Sequence, residues 1–123
     1  MLPAAAAQAA PHGPINAGSV PGNGSWVNTG SFLHSRLTLV TGTGVTFGNG
    51  GISTANGVPG CIAPNNAPDP GAPCGALIGR IGTNGTPFVV GNSDYLQAFG
   101  ELYLAANNTF GGGEYHATVL ALP

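Results

Sequence analysis

The residues able to do chemistry are few. Six side chains carry charge, Arg36, Arg80, Asp69, Asp94, Glu101 and Glu114, in a chain of 123 residues. The four carboxylates are scattered, so no close pair stands ready for acid–base work on a glycosidic bond. Ser93, Asp94 and His116 supply the residue types of a nucleophile, an acid and a base, yet no Gly-x-Ser-x-Gly elbow surrounds Ser93. The chain is therefore not expected to be an enzyme. His34 and His116 fall in strand-like runs and no Cys-x-x-Cys is present, so no metal pattern is carried by the spacing itself. What remains is a pair of cysteines and a wealth of asparagine. Cys61 and Cys74 bracket part of the stretch "GVTFGNGGISTANGVPGCIAPNNAPDPGAPCGALIGRIG", a long Asn/Gly/Pro loop between two apolar runs. The two cysteines either form a disulfide or stay as buried thiols. The polar flanks and an extracellular composition favour the disulfide, Cys61 to Cys74. The loop's Asn49, Asn56, Asn65, Asn66 and Asp69 could hydrogen-bond the hydroxyls of a carbohydrate, or could simply make turns.

Composition sets the frame for that chemistry. Two basic residues make no basic patch, so nucleic acid is not an expected partner. No apolar run is long enough for a membrane span. A surface with so little charge must be covered by Asn, Ser, Thr and backbone, which suits sugar binding, glycosylation or packing against other subunits. A net charge of −2 also favours self-association, so a homo-oligomer is expected. Asn-x-Ser/Thr sequons stand at Asn23, Asn84 and Asn107.

The elements that must position these residues read as strands. The 22 glycines and 11 prolines lie between short apolar runs, the pattern of many tight turns in an all-β domain. Residues 1–22 are Ala/Pro/Gly-rich and read as an N-terminal arm or the remnant of a signal peptide, with Ala7-Gln8-Ala9 in the small-x-small form of a cleavage site. Residues 23–123 are expected to form one domain. Its strands are expected in "GSWVNTG", with Trp26 as core anchor, and then in "SFLHSRLTLVTG" and "GVTFG". After the loop come "CGALIGRIG", "PFVVG", "DYLQAF", "GELYLAA" and "EYHATVLAL". Leu77 and Ile81 face inward with Arg80 opposite; Leu102 and Leu104 face inward with Tyr103 opposite; Tyr115, Ala117 and Val119 share a face. Asn84-Gly85 marks a hairpin. About eight short antiparallel strands at this spacing predict a β-sandwich.

From Cys74 onward the chain resembles the calcium-dependent galactose-binding lectins of bacteria, the LecA-like family. The motifs that carry the resemblance are "CGALIGRIGTNGTPFVVG", "GELYLAANNTFGGGEYHATV" and, before the long loop, "VTFGN". The resemblance implies a jelly-roll, galactose-binding-like sandwich, a galactoside ligand and a calcium ion bridging protein and sugar. Carried over position by position, the metal ligands would be Phe47, through its carbonyl, with Asn108 and Thr109 in the late turn. Asn108 stands where the family has an Asp, Gly112 and Gly113 stand where it has an Asn pair, and the turn is about two residues shorter. The family's His and Gln contacts to sugar have no match in 49–73.

Two functional expectations follow. The first is a secreted, lectin-like carbohydrate-binding domain. The second is a non-catalytic structural subunit of an extracellular filament or surface assembly, bound to copies of itself through the N-terminal arm.

Overall fold

A computed structural model of the protein describes residues 15–32, 36–41, 44–47, 51–96 and 100–121. Within them the chain forms β1 (Ile15–Pro21), β2 (Val27–Phe32), β3 (Arg36–Thr41), β4 (Val45–Phe47), β5 (Ile52–Ser53), β6 (Leu77–Ile81), β7 (Phe88–Val89), β8 (Ser93–Leu96), β9 (Gly100–Ala106) and β10 (Gly111–Ala121), and no helix. All pairings are antiparallel and make two sheets. In the larger, β10 is central. β1 pairs with it over Glu114–Val119, while β3 and β4 follow one another along it, Arg36–Thr41 against Ala121–His116 and Val45–Phe47 against Gly113–Gly111. β8 lies on β3, and β5 on β4. The smaller sheet has the order β2-β9-β6-β7.

The core joins side chains of both sheets. Val20, Val45, Tyr115, Ala117 and Val119 from the larger cluster with Leu77, Leu102, Leu104 and Ala106 from the smaller. Leu77, Leu102, Leu104, Tyr115, Ala117 and Val119 enter the core cluster as expected and Ile81 packs against it, with Arg80 and Tyr103 outside it, but burial itself does not alternate along β6, where Ile78 is fully buried. Two features differ from expectation. Ile15–Pro21, inside the segment read as an arm, is a strand of the larger sheet, and Val20 is fully buried. Gly and Pro disguised it, but β10 offers an open edge and Val20 fills the core. Trp26 is not in the core cluster; it is half-buried and lies over Arg80. Ten described strands stand against the eight expected, because β1 and the two-residue β5 gave no periodic signal. The hairpin at Asn84-Gly85 is present between β6 and β7, with Ile78 opposite Val89 and Gly79 opposite Phe88, a longer connection than a two-residue turn. Leu33 and His34 lie outside the described residues.

One buried side chain ties this core to the loop that precedes β6. The Tyr115 hydroxyl sits 2.7 Å from the carbonyl oxygens of both Thr54 and Gly75, and 3.3 Å from that of Ser53. It thus supplies a donor to backbone carbonyls at both ends of the long loop. Burial raises its pKa above the ordinary phenol value. The folded state therefore holds the proton more tightly than the unfolded chain, and this contribution is complete below the unfolded pKa and lost as pH rises through the folded one. Tyr115→Phe is expected to cost roughly 1–2 kcal/mol, read from urea unfolding near neutral pH. The variant is also expected to lose the part of the alkaline destabilisation, above about pH 10, that this phenol causes.

Candidate functional site

The long loop is held by amides and by sulfur. Cys61 and Cys74 form a disulfide, with 5.4 Å between their Cα atoms. The chain on either side of it pairs like a short ladder: Cys74 N–H donates to Cys61 O at 3.0 Å, Ala63 N–H to Ala72 O at 2.9 Å, and Ile62 bridges Pro73. Ala55, Ala63 and Ala67 are buried inside the loop. Small apolar side chains and backbone pairing therefore hold the loop together with the cystine.

Asn107, directly after β9, plugs into this ladder. Its Oδ1 accepts from Asp69 N–H at 2.9 Å, and its Nδ2 donates to Asp69 O at 3.0 Å and Pro73 O at 3.1 Å. Its own backbone continues the pattern, N–H to Ala76 O and C=O from Gly75 N–H, each at 2.8 Å. The residue is 1% exposed, so of the sequons only those at Asn23 and Asn84 present an exposed asparagine. Asn108 does the same for two other segments and for its own turn. Its Nδ2 donates to Gly22 O at 2.9 Å and Thr46 O at 3.3 Å, and its Oδ1 accepts from Thr109 N–H at 2.9 Å. Gly111 allows this closure, because a Cβ there would overlap both the Thr46 carbonyl oxygen and the Asn108 amide.

Between the loop and the late turn lies a cleft of about 360 Å³. Phe47, Asn108 and Thr109, brought forward from sequence as one site, all line it. So do Asn107, Phe110, Ala63, Pro64, Ala67 and the two cysteines. Asn107 was not among the expected site residues; the only signal for it was an Asn-Asn pair directly following an alternating strand. The loop residues expected to meet sugar are elsewhere. Asn56 accepts from Asn92 N–H at 2.9 Å and braces the turn before β8. Asn65 and Asn66 are exposed turn residues, and Asp69 is held by its backbone to Asn107. None of these four lines the cleft, and Asn49 lies outside the described residues.

The donor set in the cleft does not fit calcium. The ion takes about six to eight oxygens, carboxylates prominent among them, and no carboxylate lines this cleft. The Asn108 amide is turned to give its N–H groups to two carbonyls, and its oxygen is engaged by Thr109 N–H. Gly112 and Gly113 add no side-chain oxygen. Among the described residues no three His, Cys, Asp or Glu side chains stand together.

Tyr95 is exposed on β8, and His116, on the exposed face of β10, lies 3.0 Å from Glu114, which also accepts from Ser19 Oγ at 2.8 Å. No family model, curated protein or solved structure matches the chain.

Two outcomes test this account of the site. Replacing Cys61 and Cys74 together with Ser is expected to lower stability by roughly 3 kcal/mol in denaturant unfolding under oxidising conditions. Asn108→Asp sets a carboxylate, which donates nothing, against the carbonyls of Gly22 and Thr46. A loss of roughly 1–3 kcal/mol is expected, with no rise in melting temperature on adding calcium; a calcium-dependent rise would show that the turn is a metal site needing only its carboxylate.

Proposed function

We propose that the protein is a non-catalytic carbohydrate-binding domain of lectin type, secreted, whose two sheets stack as a jelly-roll sandwich and whose ligand enters the cleft beside the disulfide. The observation that carries this reading is the gathering of Phe47, Asn108 and Thr109 with Phe110 around one cleft. A monosaccharide has apolar C–H faces and hydroxyl edges. Phe47 and Phe110 supply aromatic surface for the first. Thr109, exposed at the rim, supplies a hydroxyl for the second. Ligand sites of this size are mostly apolar with a few placed polar groups, which matches the lining. The disulfide accords with an extracellular role. The ligand class, a galactoside, follows from the resemblance of the flanking strands. Calcium is not part of the proposal, since the Asn108 amide that stands in place of the family's Asp is spent on holding backbone.

A second reading, self-assembly into an extracellular array, is favoured by Ile52, Ile62 and Phe110, which are 70%, 67% and 74% exposed on the segments around the cleft. An exposed apolar group of this kind marks either a ligand rim or a contact between copies. The described part of the expected arm, β1, is paired within its own sheet, so copies would meet through this apolar rim.

Titration calorimetry with lactose decides between the two. Saturable heat that persists in chelator, and that weakens about tenfold in Phe47→Ala as one aromatic contact is lost, is the expected result. Absence of heat with and without calcium, together with a concentration-dependent rise in mass by light scattering that Phe110→Ser abolishes, would replace the lectin reading with the assembly.

A further inference from the structure

Far along the smaller sheet, on the face turned away from the core, Asn28, Tyr103 and Arg80 occupy one row across β2, β9 and β6: Asn28 is opposite Tyr103, and Tyr103 is opposite Arg80. Trp26 completes the group. The Arg80 guanidinium carbon lies 4.3 Å from the centre of the Trp26 ring and 5.4 Å from that of Tyr103. Arg80 is one of two basic residues in the chain. Its Nε is buried without a hydrogen-bond partner, and among the described residues no carboxylate lies within ion-pair distance of it. The nearby acid on the same strand as Tyr103 is Glu101, and it is taken by Asn28 Nδ2 at 2.9 Å.

A guanidinium is seldom left so. Rings on which it stacks fix its plane and shield it from water, which pre-organises the fork while leaving its charge uncompensated. A planar fork with unanswered donors matches a carboxylate in two-point geometry. We propose that this row is a second ligand site, separate from the cleft, and that it takes a sugar carrying a single carboxylate, a uronate. Charge complementarity selects the anion. Glu101 selects the rest of the ligand: it repels a second negative charge, which disfavours an acidic peptide, and it accepts from a hydroxyl, which a sugar supplies. The edges of Trp26 and Tyr103, both half-buried, border the position a sugar ring would occupy.

Trp26 is the chain's single tryptophan, so its fluorescence reads this site alone. The titration uses sodium galacturonate, with galactose, sodium acetate and triglutamate as parallel arms. Galacturonate is expected to change the emission saturably, while the other three leave it flat over the same concentrations. Excess lactose is expected not to displace it, so that failure of the cleft reading leaves this result standing. Arg80→Gln is expected to weaken binding at least about tenfold, through loss of a charged two-point contact, and Arg80→Lys to fall between, since lysine keeps the charge without the fork. Should Arg80→Gln fail to fold, the wild-type arms decide. A flat response to galacturonate, an equal response to galactose, acetate or triglutamate, displacement by lactose, or unchanged affinity in a folded Arg80→Gln would each overturn the proposal.

Discussion

The interaction on which the site depends is the asparagine amide used as a stand-in for a peptide group. A backbone segment that leaves the sheets must find partners for its N–H and C=O groups. In this chain a long loop lies between β5 and β6, and Asn107 answers it by offering one acceptor and two donors to Asp69 and Pro73. The amide completes a rung that strand pairing could not supply, because Pro73 carries no N–H to donate in return. An aspartate in that place would accept but not donate, and the carbonyls of Asp69 and Pro73 would be left with only the N–H groups of Ala72 and Ala76. The neighbouring Asn108 repeats the device for Gly22, Thr46 and Thr109. Two successive residues thus fasten the end of β9 to four distant parts of the chain.

This constraint also explains why the cleft has the chemistry it has. Both amides turn their donors into the protein, so what they leave at the surface is chiefly the apolar lining of Phe47, Ala63, Pro64 and Phe110. A divalent ion asks for the opposite arrangement, oxygens turned outward and charged. The same two positions cannot serve both ends. Glycine at 111 belongs to the same trade, since the close approach of β4 to β10 over Asn108 leaves no room for a side chain there.

Much of the fold was legible in the sequence because strands with one buried face must alternate. Leu102 and Leu104 against Tyr103, or Tyr115, Ala117 and Val119 in a row, mark such a face directly. The disulfide, too, was the reading that the polar flanks and the composition favoured over buried thiols, and it is present. The expected site was legible in part: Phe47, Asn108 and Thr109 do meet. β1 was hidden because "INAGSVP" mixes Gly and Pro with its apolar residues, and only the free edge of β10 makes it a strand. The loop asparagines misled for a related reason. Asn65 and Asn66 look like ligands-in-waiting, yet turn-making needs the same residue type, whereas the buried Asn107, whose importance comes from partners 38 residues away, looked like part of a turn.

Low charge gives the remaining features their weight. In a chain with ordinary surface charge, an arginine stacked between two rings would be one of many cations, most of them paired or solvated. Here Arg80 and Arg36 are the whole complement, and no paired acid balances Arg80 among the described residues. The acid on that sheet face, Glu101, is engaged by the Asn28 amide. Trp26, expected in the core, instead lies over this cation, so the chain's largest side chain is spent on orienting a charge and not on filling the interior. Packing alone gives no reason for that choice: the core closes around Leu77, Leu104 and Tyr115 without it. Recognition of an anion does give one, because it requires that the guanidinium hold its plane before the ligand arrives.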